Sequence, residues 1–229
     1  MPILRTVAML VVLAMLALPA SGRAARSQPS LLASVRPLSM TMTVYMDPET
    51  HIQFSLNVCT ASSINAVTHL WLTAAHCVQH LELNEAGIPI AVVHPLTIDG
   101  HPVYLVKVDL ALDLAILFTP DLVVPALRLA DRAPFWEDPV RVIGYPFGYS
   151  SAVLTAGNVS NPEATIPGEV TPYLFVTAFV APGNSGSPIV NARGEIVSVL
   201  QIGWGRGYGP GGGSPYARLR AFAGTYFKR

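Results

Sequence analysis

Charge is scarce in this chain of 229 residues: only 12% are Asp, Glu, Lys or Arg, and 14 bases balance 14 acids. No basic field is present to recruit nucleic acid, and no run of like charge marks an interaction tail. There are only 2 cysteines, too few for a disulfide-rich scaffold. No repeat of solenoid period occurs, and no clear helical period runs through the middle of the chain. With 51% hydrophobic residues, disorder is excluded and one sizeable core, or two small barrels sharing one, is expected.

The one long apolar run, Val7–Leu18, follows Arg5 and ends at Pro19, with small residues at Ala20, Gly22 and Ala24. A dozen residues is short for a bilayer span, so Met1–Ala24 is expected to be a cleaved secretory signal rather than an anchor. Cleavage removes Arg5 and Arg23, leaving 12 bases against 14 acids, a net charge of −2. The product is expected to be secreted or periplasmic, with no membrane contact after cleavage, and a monomer. In an exported chain Cys59 and Cys77 are expected as a disulfide. The alternative is a metal site with His76 and His80, but no second close pair of ligands or acid accompanies them, so no metal and no cofactor are expected.

Residues 25–42 mix Ser, Pro and Arg without a period and read as a linker or N-terminal arm. From Thr43 onward short β-branched and aromatic runs alternate with turn residues. The strongest are His51–Val58, Ala66–Thr73, Ile90–Val93, Val103–Val108, Leu114–Phe118, Val140–Tyr145, Ala152–Thr155, Tyr173–Phe179, Pro188–Val190 and Glu195–Ile202. That spacing predicts an all-β sandwich or barrel. Helix is expected only as one turn at Ala74–Gln79 and a short C-terminal segment, Tyr216–Tyr226. The domain is placed at 43–229, in two halves of about 43–125 and 126–229 joined near Val124–Asp131. A cleft between two barrels is a usual place for a site.

Three stretches carry chemistry. Ala181-Pro-Gly-Asn-Ser-Gly-Ser-Pro188 offers a serine between glycines in a proline-bounded loop, where backbone N–H groups can meet a substrate oxygen. Leu72-Thr-Ala-Ala-His-Cys77 offers a histidine beside a cysteine that could tether it. Asp109-Leu-Ala-Leu-Asp-Leu-Ala-Ile-Leu117 sets an acid at the head of an apolar strand, where an imidazole N–H would satisfy it. Each alone has a bland reading: a turn, a core histidine, a strand-start residue. Together, in the order His76, Asp113, Ser185, they resemble the trypsin/chymotrypsin superfamily of serine proteases.

The finer pattern is similar to the HtrA/Deg-type proteases. It includes Asp109-x-x-x-Asp113-Leu-Ala-x-Leu117, Ile143-Gly-Tyr-Pro-Phe-Gly148, Thr155-Ala-Gly-Asn-Val-Ser160 and Val190-Asn-x-x-Gly-Glu195. The cysteine pair and Ser214-Pro-Tyr-Ala-Arg218 look more like ordinary trypsin-like enzymes. Eleven residues follow Arg218, so no PDZ domain is expected. The resemblance implies two six-stranded antiparallel barrels, chymotrypsin-like, with the site between them and a short C-terminal helix. It implies Ser185 as nucleophile, His76 as base, Asp113 as its orienting acid, and the N–H groups of Gly183 and Ser185 as the oxyanion hole. Asp109 is expected to be exposed or supporting. It also implies the Cys59–Cys77 staple beside the histidine, and protein or peptide substrates. A catalytically inactive homologue serving as a binding module is the alternative, and the complete triad speaks against it. The histidine-first order argues against an α/β-hydrolase esterase.

Asn184 stands where digestive relatives carry an aspartate that pairs with a freshly cut N-terminal amine. A neutral amide cannot make that pair, so activity without such cleavage is expected. The pocket wall should include Ala178, Phe179 and Val180, with no acid, which disfavours Arg and Lys and points to small or medium apolar residues. The opposing strand is either Gly203-Trp204-Gly205 or, in an ungapped HtrA-like register, Val199–Gln201. Neither holds the histidine that a glutamate-specific pocket would use. The glycine-rich run 203–213 opens no helix and lacks a phosphate-loop lysine, so it reads as a flexible loop bordering the pocket.

Overall fold

The computed structural model describes residues 31–45, 51–78, 82–83, 89–93, 96–204 and 209–227. The proposed signal over 1–24 lies outside them, as do His80 and Gly205. Fifteen strands are defined: β1 Val35–Tyr45, β2 His51–Asn65, β3 Leu70–Thr73, β4 Glu82–Leu83, β5 Pro89–Val93, β6 Thr97–Ile98, β7 His101–Pro102, β8 Tyr104–Asp109, β9 Leu114–Phe118, β10 Pro139–Gly144, β11 Val153–Thr165, β12 Pro172–Val180, β13 Pro188–Asn191, β14 Ile196–Gly203 and β15 Gly209–Gly213. Among the described residues one α-helix, α1, runs from Tyr216 to Ala223. No helix among the described residues is long and apolar enough to cross a membrane.

The strands form two sheets. The first, of nine strands, runs β4-β5-β1-β2-β3-β9-β8, with β6 on β1 and β7 on β6. It curls but does not close among the described residues. The second is a closed six-stranded barrel, β10-β11-β12-β15-β14-β13. The chymotrypsin-like expectation therefore holds, with one full barrel and one half-barrel.

Alternation explains the barrel wall. Along β12, Leu174, Val176, Ala178 and Val180 point inward while Tyr173, Phe175, Thr177 and Phe179 face outward. Strand β9 has no polar face: Leu114, Ala115, Ile116 and Leu117 are all buried, as befits a strand covered on both sides. Trp71 on β3 is buried and donates its indole N–H to Thr119 Oγ1 at 2.8 Å, so its one polar atom is satisfied.

Two sequence expectations need correction. The arm expected over 25–42 is strand from Val35, because β1 pairs with β2 along its whole length, Val35 opposite Ser62 through Tyr45 opposite His51. The flexible loop expected over 203–213 includes β15, which closes the barrel between β12 and β14. Its glycines are there for space. A Cβ on Gly213 would stand 2.2 Å from the Val199 carbonyl, and one on Gly211 would stand 2.7 Å from Leu200 Cδ1.

One apolar cluster joins both sheets: Val35, Ile64, Leu72, Leu114 and Ile116 from the first meet Ile143, Val190, Ile196 and Val199 from the second, with Leu219 and Phe222 of α1. The crossover strap is bonded to both sides, Leu127 N–H to Ser63 O at 2.8 Å and Ala130 N–H to Ile196 O at 2.9 Å. Lys107 of β8 donates to the carbonyl of Phe222 at 2.9 Å and lies over its ring, so α1 is tied to the first sheet at its C-terminal, electronegative end.

Candidate active site

His76 lies in a short 3-10 helix, Ala75–Val78, directly after β3. The adjoining Cys77 is fully buried and bonded to Cys59 of β2, so one covalent tie fixes the turn that carries the imidazole. Cys59, His76 and Cys77 are near enough to suggest a metal cluster. The sulfurs are joined to each other, however, and offer no thiolates.

Asp113 reaches His76 twice. Its Oδ1 accepts the His76 backbone N–H at 2.8 Å, and Oδ2 lies 2.8 Å from Nδ1. A carboxylate can only accept, so Nδ1 carries the proton and Nε2 of the neutral ring keeps a free lone pair. Asp113 precedes β9 with a left-handed φ of 50°. Asp109 shapes the turn before it, accepting the Leu112 N–H on Oδ1 at 3.0 Å. It thus supports the loop from a half-buried position.

Ser185 sits half-buried between two turns, Asn184 N–H to Ala181 O at 3.0 Å and Ser187 N–H to Asn184 O at 2.9 Å. Gly183 and Gly186 have φ of 95° and 81°. Both are also crowded: a Cβ would come within 2.4 Å of Tyr145 O at Gly183 and 2.2 Å of Thr60 O at Gly186. Only glycine meets both conditions.

The Pro182–Gly183 peptide is oriented by Phe147, whose N–H donates to Pro182 O at 2.6 Å. Carbonyl and N–H point oppositely across a trans peptide, so the Gly183 N–H points away from Phe147. Thr60, fully buried, braces the same loop. Its N–H donates to Ser185 O at 2.8 Å and its hydroxyl to Gly183 O at 2.9 Å. The hydroxyl also accepts the Tyr145 N–H at 3.1 Å.

Other expected pocket residues fall apart from one another. Ala178 and Val180 are buried in the barrel interior, whereas Phe179 is half-exposed and pairs with Pro210 of β15. Gly203 ends β14 opposite Gly211, and the half-exposed Trp204 meets Phe175 edge-on at 5.9 Å. Leu200 is used on the nucleophile loop, accepting from Gly186 N–H at 2.8 Å and donating to Ser187 O at 2.9 Å.

Beside Asp113 a cleft of about 450 Å³ opens, lined by Leu110, Asp113, Glu169, Val170, Tyr173 and Gln201 among others. Tyr173 donates its hydroxyl to Glu169 at 2.7 Å. Burial, with the Glu169 carboxylate beside it, pushes the phenol up to about 12. Sequence reasoning placed Phe147 in a family-like motif and Gln201 in one register of the substrate strand, but missed the bracing roles of Thr60, Phe147 and Gln201. Thr60 is one of many polar residues in β2 and carried no distinguishing signal, whereas Gln201 is a long polar side chain in the largely apolar β14.

Against known proteins, residues 59–199 match the family model of the trypsin-like peptidase domain. The chain is 34% identical over 100 residues to a probable periplasmic serine endoprotease, DegP-like, of Pseudomonas putida, covering 42% of this chain and 20% of that protein. It is 32% identical over 136 residues to the chloroplastic protease Do-like 2 of Arabidopsis thaliana, covering 56% of this chain and 21% of that one. The chain thus spans about a fifth of the length of these relatives. In fold it is similar to the HtrA-type protease AlgW with decapeptide, at a TM-score of 0.64 and 23% identity over 85% of this chain and 65% of that one. It is also similar to the Rv3671c protease of M. tuberculosis in its active form, at a TM-score of 0.59 and 19% identity over 85% and 81% of the two chains. Matched by its model over more than half its length, the chain belongs to the family of trypsin-like peptidase domains.

Proposed function

We propose that this chain is an exported serine endopeptidase in which Ser185 attacks the scissile carbonyl and His76 takes its proton. Asp113 orients the ring and stabilises the imidazolium, and the N–H groups of Gly183 and Ser185 receive the oxyanion. The observation that carries this reading is the pair of hydrogen bonds from His76 to the Asp113 carboxylate, its backbone N–H to Oδ1 and its Nδ1 to Oδ2, each at 2.8 Å. It leaves Nε2 as the base while Ser185 stands on a glycine-framed turn. Export is supported by the character of Met1–Ala24 and by bacterial relatives named as periplasmic.

The substrates are proteins or peptides cleaved after small or medium apolar residues. Of the three residues expected in the wall before Ser185 only Phe179 faces outward, and it supplies no carboxylate, so a buried cationic side chain would lack a partner there. Asn184 replaces an ion pair with a neutral amide, and the loop is instead braced by Phe147 and Thr60. Activity therefore needs no new N-terminal amine. Fluorophosphonate labelling tests the triad: wild type should label rapidly, Ser185→Ala not at all, and His76→Ala only at a slow residual rate. A peptide-library profile then reads specificity, and dominance of Lys, Arg or Glu at the cleaved position would refute the apolar assignment.

A further inference from the structure

We propose that Gln201 is a positioning residue for the triad, holding the turn that carries Asp113 from the strand that also holds the Ser185 loop. The inference rests on the reading of His76, Asp113 and Ser185 as a working triad. Asp113 is in the left-handed region, φ 50°, a conformation that aspartate visits more readily than most residues but that its surroundings must still enforce. The turn's own bonds are modest: Asp113 N–H reaches Leu110 O at 3.4 Å, and Leu112 N–H reaches Asp109 at 3.0 Å. Among the described residues both donors to the Asp113 carboxylate come from His76, so these two bonds tie the acid to the base rather than to the second barrel.

Gln201 supplies that tie. A carboxamide has two N–H donors, and the Gln201 nitrogen donates to Leu112 O at 2.6 Å and to Asp113 O at 2.9 Å. The residue is only 6% exposed at the edge of the cleft, so little water competes for the two bonds. Next to it on β14, Leu200 clasps the nucleophile loop through Gly186 and Ser187, at 2.8 and 2.9 Å. Two consecutive residues of one strand therefore set the distance between the nucleophile and the acid that orients its base. Thr171 adds a longer bond, its hydroxyl to Ala111 O at 3.4 Å.

Loss of the carboxamide should let the Asp113 turn relax and His76 drift, slowing proton transfer while leaving Ser185 and the substrate groups in place. The test is inactivation by a fluorophosphonate, resolved into kinact and KI, for wild type, Gln201→Met, His76→Ala and the double variant. Methionine keeps the length and removes the donors. Gln201→Met should lower kinact on the order of tenfold while KI stays within about threefold. General misfolding would instead lower the fraction labelled, leaving the rate constant of the labelled molecules unchanged. In the His76→Ala background the same substitution should cost nothing further, because its effect passes through the histidine. A wild-type kinact in Gln201→Met, or an equal loss in both backgrounds, would overturn the proposal. If wild type itself does not label, the triad reading fails and takes this inference with it. Should Gln201→Met not fold, ¹⁵N-glutamine spectra of the wild type decide. Slow exchange of the Gln201 carboxamide protons supports the strut, and exchange at the free rate removes it.

Discussion

Replacing Asn184 with aspartate changes one group and should destabilise the protein by several kcal/mol at neutral pH. Asn184 is 4% exposed, and its Oδ1 has no hydrogen-bond partner among the described residues. It lies against Gly144, where an added Cβ would be 2.5 Å from Oδ1 and 2.1 Å from the equally buried Ser187 Oγ. None of the ion pairs among the described residues reaches this spot. A carboxyl group buried without a cation is expected to rise by up to ~3–5 pH units. A rise of ~3 units corresponds to roughly 4 kcal/mol at pH 7. The new group would then titrate higher in the folded than in the unfolded chain. The cost should vanish below about pH 4 and grow by about 1.4 kcal/mol per pH unit up to the folded titration point. Urea unfolding in a Ser185→Ala background, which avoids autolysis, should give coincident midpoints near pH 4 and a wide gap at pH 7. A gap that ignores pH would mean that charge burial is not its cause, and equal stability at pH 7 would mean that a cation reaches the site. The reasoning against an N-terminal ion pair would then be wrong.

Gly183→Ala should lower kcat by about 10²–10³ with little change in KM, because the added Cβ meets Tyr145 O at 2.4 Å and turns the peptide N–H away. Steady-state kinetics on a peptide substrate check it. Replacing both Cys59 and Cys77 with serine opens a tie spanning 18 residues, and scanning calorimetry should register a loss of about 3 kcal/mol. Burial pushes the Glu195 carboxyl up, but bonds from Asn191, Arg193 and Arg128 outweigh it and hold it below its usual range. A lowered folded value stabilises above the unfolded titration point and is lost as pH falls. Glu195→Gln should therefore cost about 1.5–3 kcal/mol at pH 7, and the difference in unfolding free energy should shrink below about pH 4.

The family was the most legible part of the sequence. A triad demands particular residue types in particular local settings, and Thr73-Ala-Ala-His-Cys77 and Gly183-Asn-Ser-Gly186 carry both within a few positions. Strands with a strong pattern were legible too: Leu114–Phe118 is β9 as expected. Strand β1 was not, because Val35-Arg-Pro-Leu-Ser carries no clean alternation and its strand character comes from pairing with β2. Strand β15, Gly-Pro-Gly-Gly-Gly, has the composition least suited to a strand by propensity. The bulk of Leu200, Val180 and Phe175 beside it decides the matter, and that bulk is set by other segments. The pocket wall was misjudged for a simpler reason: three consecutive strand residues cannot line one surface, since Ala178 and Val180 face opposite to Phe179.

The residues whose bracing roles escaped notice share a property. Thr60 bonds to Gly183 and Tyr145, 123 and 85 residues away, and Gln201 to Asp113, 88 residues away. They bridge the sheet that carries His76 and Asp113 and the barrel that carries Ser185. The shared apolar cluster holds the two halves together, but apolar burial is non-directional and tolerates small slips of one surface over another. Hydrogen bonds of 2.6–2.9 Å do not tolerate them, and proton transfer needs placement to within about 0.5 Å. Stability and register thus rest on different residues. Thinning the shared cluster, as in Ile143→Val, should lower the melting temperature with little effect on rate. Removing a bridge should do the reverse.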